Sequence, residues 1–530
     1  MKLKILSLIL AAVLLLSVCS CTTGGKTLEL TVGVLSAPDC FDPLFADGDC
    51  EYLIAANCFE GLMRFEADGT LEPAGCVAYS VNADGLSYTF KLNPNARYNV
   101  TADVKAVIDA HKIEKFDENI TAADYITAFK RAIVTNPELF KNIKGADGII
   151  AGNEKNFGVT ADGDTLTVKL TEADPDFLYK LAELPLVPCR AEFIDALGED
   201  YAISPAAVLT NGAYRINEVT EAGTVKLTAS QAYNGKLTVM NKSVTLYFTG
   251  SEKLMTERFS DGTYAAITAS GFNSVNGAES AYSHTENVWG LCFNLSNDAV
   301  KNKNLRLAFI KATNLTAFKT PSLATGGTVR ILPSDYVIHD GNYGVTSELY
   351  DGSAVDIEKA KSLLKTALTE LKTDSATLNI VVPDTMLDSV KKELETNTAQ
   401  LGDGIKLELS GFNVNEASEI AEAGEYDIAI LPLTPERLTV CAMLESVKSA
   451  PCFCQDENFA KLAAKFNAEN GSDTTAAAAE SAEKYLADNA IFLPLFHTTA
   501  RLYIAPQVTE IHSAANGRYI YFDAACEAGE

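Results

Sequence analysis

The chain has 530 residues, 47% of them hydrophobic and 21% charged, a globular composition that excludes a collagen-like, coiled-coil or wholly disordered protein. Its 70 Asp and Glu outnumber 43 Lys and Arg, for a net charge of −27, and so acidic a surface repels nucleic-acid phosphates and anionic lipid heads. At roughly 100–200 residues per domain, the length predicts two to four domains with several buried cores.

Lys2 and Lys4 precede an uncharged, mostly apolar run from Ile5 to Cys19. Such a run rises about 22 Å as a helix, short of the roughly 30 Å hydrocarbon core, so it reads as a secretory leader rather than a span. Val18-Cys19-Ser20-Cys21 resembles a bacterial lipobox. That resemblance implies cleavage before Cys21 and a diacylglycerol on its thiol. Cys19 is the rival site, but Val18 would then occupy a position that wants a small residue; a plain leader with an accidental cysteine is the other alternative. The membrane is then reached through the lipid anchor only.

Of the 12 cysteines, ten lie beyond Cys21. An exported chain permits disulfides, while a chain of this size does not need them; bridged pairs and buried thiols both stay open. Cys452-Phe453-Cys454 has the wrong spacing for a C-x₂-C zinc knuckle, and no second pair or nearby histidine completes it. No cofactor or metal is expected.

In chain order, Leu28–Leu35 alternates as a strand, and a turn-rich loop, Ser36 to Pro43, follows. Glu51 to Leu62 reads as a short helix. A β-meander then runs through Met63–Phe65, Ala78–Val81 and Ser87–Leu92, with Asp68-Gly69 and Asp84-Gly85 as turns. Thr121 caps a helix reaching Ile133, and Thr165–Leu170 is a strand after Asp162-Gly163. From Tyr350 the pattern becomes βαβαβ: helix 356–371, strand 376–382, helix 386–401, strand 405–409, helix 415–422 and strand 426–433. Short connections imply a partly parallel sheet with helical cover. Thr474 to Ala487 is an Ala-rich helix, and 491–495 and 518–522 are late strands. The fold class is therefore mixed α/β, with domains that interleave. The chain contains no G-x-S-x-G, H-E-x-x-H, Walker A or G-x-G-x-x-G motif, which argues against the commoner hydrolases, kinases and dehydrogenases.

A succession of short segments carries a resemblance. Leu30-Thr31-Val32-Gly33 with Phe41-Asp42-Pro43, Phe59-Glu60-Gly61-Leu62, Asp84 to Leu92, Thr121 to Asp124 with Phe129-Lys130-Arg131, Leu209 to Tyr214, Phe293-Asn294 with Leu305 to Phe309, Lys359 to Leu364, and Ile491 to Leu495 come in the order of the family 5 extracellular solute-binding proteins. These are the oligopeptide-, dipeptide- and nickel-binding components of ABC importers. The resemblance implies a type II periplasmic-binding-protein-like fold, with two lobes built from three interleaved domains. Domain I would comprise 28–62, 168–285 and 492–530; domain II, 63–167; domain III, 286–491. It further implies no enzymatic turnover, a solute enclosed between the lobes, permease subunits as partners, a monomer, no nucleic acid, and a place outside the cytoplasm.

The departures bear on the ligand. About 20 extra residues, 99–119, interrupt the second domain as a surface elaboration. Where peptide-binding members carry a Trp platform and an Asp that holds the peptide's α-ammonium, this chain reads Leu433-Thr434-Pro435-Glu436-Arg437. Leu433 takes the Trp position and Glu436 the Asp position. Glu436 is thus the candidate ammonium anchor and Arg437 an anion contact, a solvated loop being the alternative for both. Thr434 joins them, with Pro38, Asp39 and Phe41 after the first strand, and Trp289, the one tryptophan, as either a cleft floor or core packing. His497, Asn211 and Tyr214 read as structural. A peptide is the leading ligand, with an oligosaccharide or metal chelate as rivals. A different class of reading is a lipoprotein sensor, adhesin or chaperone that kept the fold without transport.

Overall fold

The computed structural model describes residues 30–527 apart from 67–69, 184–185, 238, 240, 270–274, 276–277, 319–329, 339–340, 348, 350–352, 450–455, 469–471, 507, 510, 514–519 and 523–525. The leader, Cys21, the Asp68-Gly69 turn and the Cys452/Cys454 pair fall outside the described residues. No described helix is long and apolar enough to cross a membrane. Cys40, Cys50, Cys58, Cys76, Cys189, Cys292 and Cys441 are unbridged thiols, all but Cys40 buried.

A ten-stranded mixed sheet runs through the molecule. Its strands, in chain order, are β1 (Leu30–Val34), β2 (Tyr214–Val219), β3 (Val225–Ala229), β4 (Ser243–Phe248), β5 (Ala266–Ala269), β6 (Tyr282–Phe293), β7 (Ala376–Pro383), β8 (Ile405–Phe412), β9 (Ile428–Leu433) and β10 (Phe492–Ile504). They lie in the order β8-β7-β9-β6-β10-β5-β1-β4-β3-β2. β1 sits centrally, parallel to both β4 and β5, and its near-continuous apolar run suits a strand covered on both faces. β7 is parallel to β8 and to β9, the partly parallel arrangement expected from the βαβαβ pattern.

Two large cores flank the middle of this sheet. One is built from residues 30–266 and 502–522 together with Val337, the other from 288–496. β6 and β10 pass between them as long antiparallel partners, paired from Tyr282↔Leu502 to Cys292↔Phe492, with irregularities after Thr285 and Trp289. Gly290 follows the second irregularity, where an added Cβ would meet the Phe492 ring at 2.2 Å. The two strands are longer than the sequence pattern shows, because their polar middle hides them from an alternation test.

Of the predicted meander, Ala78–Val81 and Ser87–Leu92 lie in a separate antiparallel sheet, Cys76–Val81, Ser87–Leu92, Thr165–Lys169 and Val159–Asp162, whereas Met63–Phe65 pairs instead with Leu71–Pro73 in a two-stranded sheet of its own. Gly85 and Gly163 adopt positive φ in its turns, which glycine tolerates without a Cβ clash. Helix 122–135 opens with a capping box, the Thr121 amide donating to Asp124 Oδ2 at 2.7 Å. Asp124 also holds Arg190, Nε to Oδ1 at 2.6 Å, and Arg190 donates to the carbonyls of Asp117 and Asn119. The inserted 99–119 segment is thereby clamped at its far end, and it contains a helix, Ala102–Ala110, that turns Val104 and Ile108 inward.

The returning C-terminus is tied to the first lobe by buried polar contacts. Asn57 donates to the carbonyls of Leu53 and Ile520 and accepts from the Phe522 amide, all within 2.9 Å, and Tyr214 Oη donates to the Phe522 carbonyl at 2.6 Å. Asn57→Ala would leave buried backbone groups unsatisfied, a loss of about 2 kcal/mol. Chemical denaturation should show the midpoint falling accordingly; a change below ~0.5 kcal/mol would contradict this assignment.

Candidate functional site

The site lies where the crossing strands meet both lobes. Past the end of β1, Leu35 and Ser36 turn toward the head of helix Asp49–Cys58. Asp49 fixes that turn, accepting from the amides of Leu35 at 2.6 Å and Ser36 at 2.9 Å and from Ser36 Oγ. Glu51 caps the same helix from inside, accepting from the Gly48 and Asp39 amides, both at 2.9 Å. Burial pushes its carboxyl up, but the amides of Gly48, Asp39 and Asp47 outweigh that and hold it below the usual range.

Against this wall stands the loop that leaves β9, Thr434 to Leu438, and the floor is supplied by β5, β6 and β10 through Thr268, His284, Glu286 and Arg501. Together they enclose a cavity of about 560 Å³. A second, larger cavity of about 870 Å³ opens on the other side of the same loop, bounded by Lys141, Asp174 and Lys180 on the first lobe and by Cys441, Glu445 and Lys448 on the second. Thr434, Glu436 and Arg437 border both cavities.

Glu436 and Arg437 are treated in opposite ways by the fold. The Glu436 side chain is 74% exposed and the Arg437 side chain only 10%. Arg437 Nη1 donates to Glu436 Oε2 at 3.2 Å, while its Nε lies 3.5 Å from Oδ2 of Asp176. Asp176 belongs to the first lobe, just ahead of helix Phe177–Ala182, so this pair crosses between lobes. Thr439 reinforces it, its Oγ1 donating to Asp176 Oδ2 at 2.5 Å and accepting from the Ala442 amide at 3.0 Å. Burial pushes the Asp176 carboxyl up, against the pull of Arg437 and the Thr439 hydroxyl. Burial alone would depress the Arg437 guanidinium, but the carboxylates of Asp176, Glu183 and Glu436 raise it instead.

The structure brings Thr434, Glu436 and Arg437 together at the cavity and places the other sequence candidates elsewhere. Phe41 is buried in the first core and Trp289 in the second, where it stacks on Phe496 at 5.8 Å and 11°. Pro38 is half-buried and Asp39 exposed, both outside the cavity lining; the wall is made by their neighbours Leu35 and Ser36. His497 binds the Arg330 carbonyl through Nε2 at 2.9 Å, and Asn211 spans the Glu60 amide and carbonyl. Sequence reasoning missed Asp176, Glu183, His284 and Glu286. The acidic residues carried no signal in a chain with 70 carboxylates; a histidine in a strand-forming stretch was the one available pointer.

His284 is partly buried at the cavity floor, and burial lowers its pKa to about 4, with only the Asp335 carboxylate opposing. A histidine depressed below its unfolded value of roughly 6.5 leaves stability intact above that pH and withdraws it as pH falls toward 4. His284→Gln should therefore flatten the decline in melting temperature between about pH 6.5 and 4. Parallel pH-dependent melting curves for the two proteins would contradict the assignment.

Known proteins fit this architecture. The chain is 27% identical to the oligopeptide-binding protein AmiA of Streptococcus pneumoniae over 240 residues, 43% of this chain and 35% of that one. It is 24% identical to AliB of the same species, also an oligopeptide-binding protein, over 369 residues, 62% of this chain and 54% of the relative. The matches thus span about a third to a half of these relatives' length. Among solved structures, the murein tripeptide binding protein MppA in its unliganded open form aligns over 96% of this chain and 99% of its own, with a TM-score of 0.73 at 19% identity. Listeria monocytogenes OppA bound to peptide aligns over 96% and 100%, with a TM-score of 0.65 at 19% identity. At such identities the likeness is one of fold, the periplasmic-binding-protein-like fold. The family model for the middle region of bacterial extracellular solute-binding proteins, family 5, matches residues 70–450, and the chain belongs to that family.

Proposed function

We propose that this protein is the lipid-anchored, extracytoplasmic substrate-binding component of an ABC importer, capturing a short peptide between its lobes and handing it to permease subunits without turnover. One observation carries the reading: an exposed carboxylate, Glu436, stands at the end of β9 on the border of two cavities enclosed by both lobes. A peptide's α-ammonium is the complementary group, and a charge-assisted hydrogen bond there gives both affinity and direction. The names of the relatives, oligopeptide-binding proteins, support the same ligand class.

In this reading Cys21 carries the lipid, and the protein acts as a monomer. Residues 28–62, 168–285 and 492–530 form the domain that holds β1 and the returning C-terminus; 63–167 add the meander; 286–491 form the facing lobe. Arg437 serves the loop rather than the ligand, because its side chain is largely buried and lies between the carboxylates of Asp176 and Glu436.

Replacing Glu436 by Ala should weaken a free-N-terminus tripeptide by about 10- to 100-fold in calorimetry, the range for a hydrogen bond to a charged group. N-acetylation of the peptide should cost wild-type protein a similar factor. Glu436 also accepts from the largely buried Arg437, so the acetylated peptide, which leaves the protein unchanged, isolates the ligand contact from any loss of stability. Wild-type affinity in both experiments would contradict the anchor.

A further inference from the structure

We infer that the cleft prefers peptides carrying a second cation, the side chain of lysine, arginine or another amine-bearing residue, and discriminates against acidic peptides. The inference rests on the peptide-binding reading above and names the ligand class within it.

The argument is a charge inventory of a cavity enclosed by two lobes. Around the 560 Å³ cavity stand Asp47, Asp49, Glu183, Glu286 and Glu436, against Arg437 and Arg501. Five carboxylates against two guanidinium groups leave an excess of three negative charges. The carboxylates come from four separate places: the head of helix Asp49–Cys58, the end of helix Phe177–Ala182, strand β6 and the loop after β9. The fold, and not a run in the sequence, gathers them. His284 adds no compensating charge near neutral pH, because its desolvated ring is held deprotonated.

Arg437 is less available to a ligand than its place suggests. Its side chain is largely buried, and three carboxylates act on its guanidinium, two from the first lobe and one from its neighbour Glu436. A ligand carboxylate approaching it would be repelled by Asp176, which lies 3.5 Å from its Nε and is held in place by Thr439. The α-ammonium of a free peptide is balanced by its own α-carboxylate, so a neutral peptide leaves the excess at three, and a cationic side chain lowers it to two. An acidic side chain adds to the excess in a space where Coulomb repulsion is stronger than in water.

The excess is local and does not follow from the acidity of the whole chain. Across the same loop, the 870 Å³ cavity sets Lys141, Lys180, Lys448 and Arg437 against Glu138, Glu172, Asp174, Glu436 and Glu445. There the two signs nearly balance, so the cationic preference belongs to the smaller cavity.

The test is calorimetric titration of the purified mature protein with Ala-Ala-Ala, Ala-Lys-Ala and Ala-Glu-Ala, each with a free N-terminus. The lysine peptide should bind at least ~10-fold tighter than the alanine peptide and the glutamate peptide weaker than both, with the spread narrowing at ~0.5 M salt. Glu286→Gln should narrow the lysine preference, the ratio of lysine-peptide to glutamate-peptide affinity falling toward one. Equal affinities for the lysine and glutamate peptides would overturn the preference and leave the peptide-binding reading standing. Failure of all three to bind would overturn the peptide-binding reading and this inference with it.

Discussion

The rest of the structure depends on the antiparallel pairing of β6 with β10. These strands carry a ladder, broken in register after Thr285 and Trp289, from the second core, at Cys292 and Phe492, to the first lobe, where Leu502 pairs with both Tyr282 and Thr268. Every main-chain hydrogen bond in that ladder fixes one lobe relative to the other. The irregularity before Gly290 lets the Phe492 ring pack against backbone, and the Trp289–Phe496 stack stiffens the second lobe's end of the pair. The middle of the ladder is polar, presenting His284, Glu286 and Arg501 to the cavity. One element thus joins the lobes and floors the space between them.

The second constraint runs across the gap. Asp176 on the first lobe meets Thr439 and Arg437 on the second, with the side chain buried. A buried ion pair is weak support for stability, since desolvation offsets much of the Coulomb gain. It does fix geometry: the loop bearing Glu436 is held by its neighbour Arg437, which also bonds the Glu436 carboxylate. The same contact withdraws the nearest positive charge from the ligand space, which links the mechanics of the loop to the chemistry of the cleft.

Much of the fold was legible in the sequence, for identifiable reasons. The Asp84-Gly85 and Asp162-Gly163 turns, the Thr121 cap and the apolar face of helix Ile357–Leu371 are local signals, and each corresponds to an observed element. The order of the family segments conveyed the architecture that periodicity could not. Long-range placement was harder. Phe41 and Trp289 are aromatic residues near the right loops, and apolar burial claimed both. The loop after β9 was legible because it follows a recognisable strand. Its tie to Asp176 was not, because the two are 261 residues apart and joined only through tertiary packing. The inserted segment folds as a clamped helix because Arg190 reaches back to it, again a contact with no local signature.

The central claim is that the ligand is held by both lobes at once. Hydrogen–deuterium exchange with and without a saturating free-N-terminus tripeptide tests it most directly. The account predicts added protection in two separate stretches, the turn around Leu35 to Leu53 and the loop and helix from Leu438 to Leu444, appearing together. Protection confined to one lobe, or absent from both while the peptide binds, would contradict it.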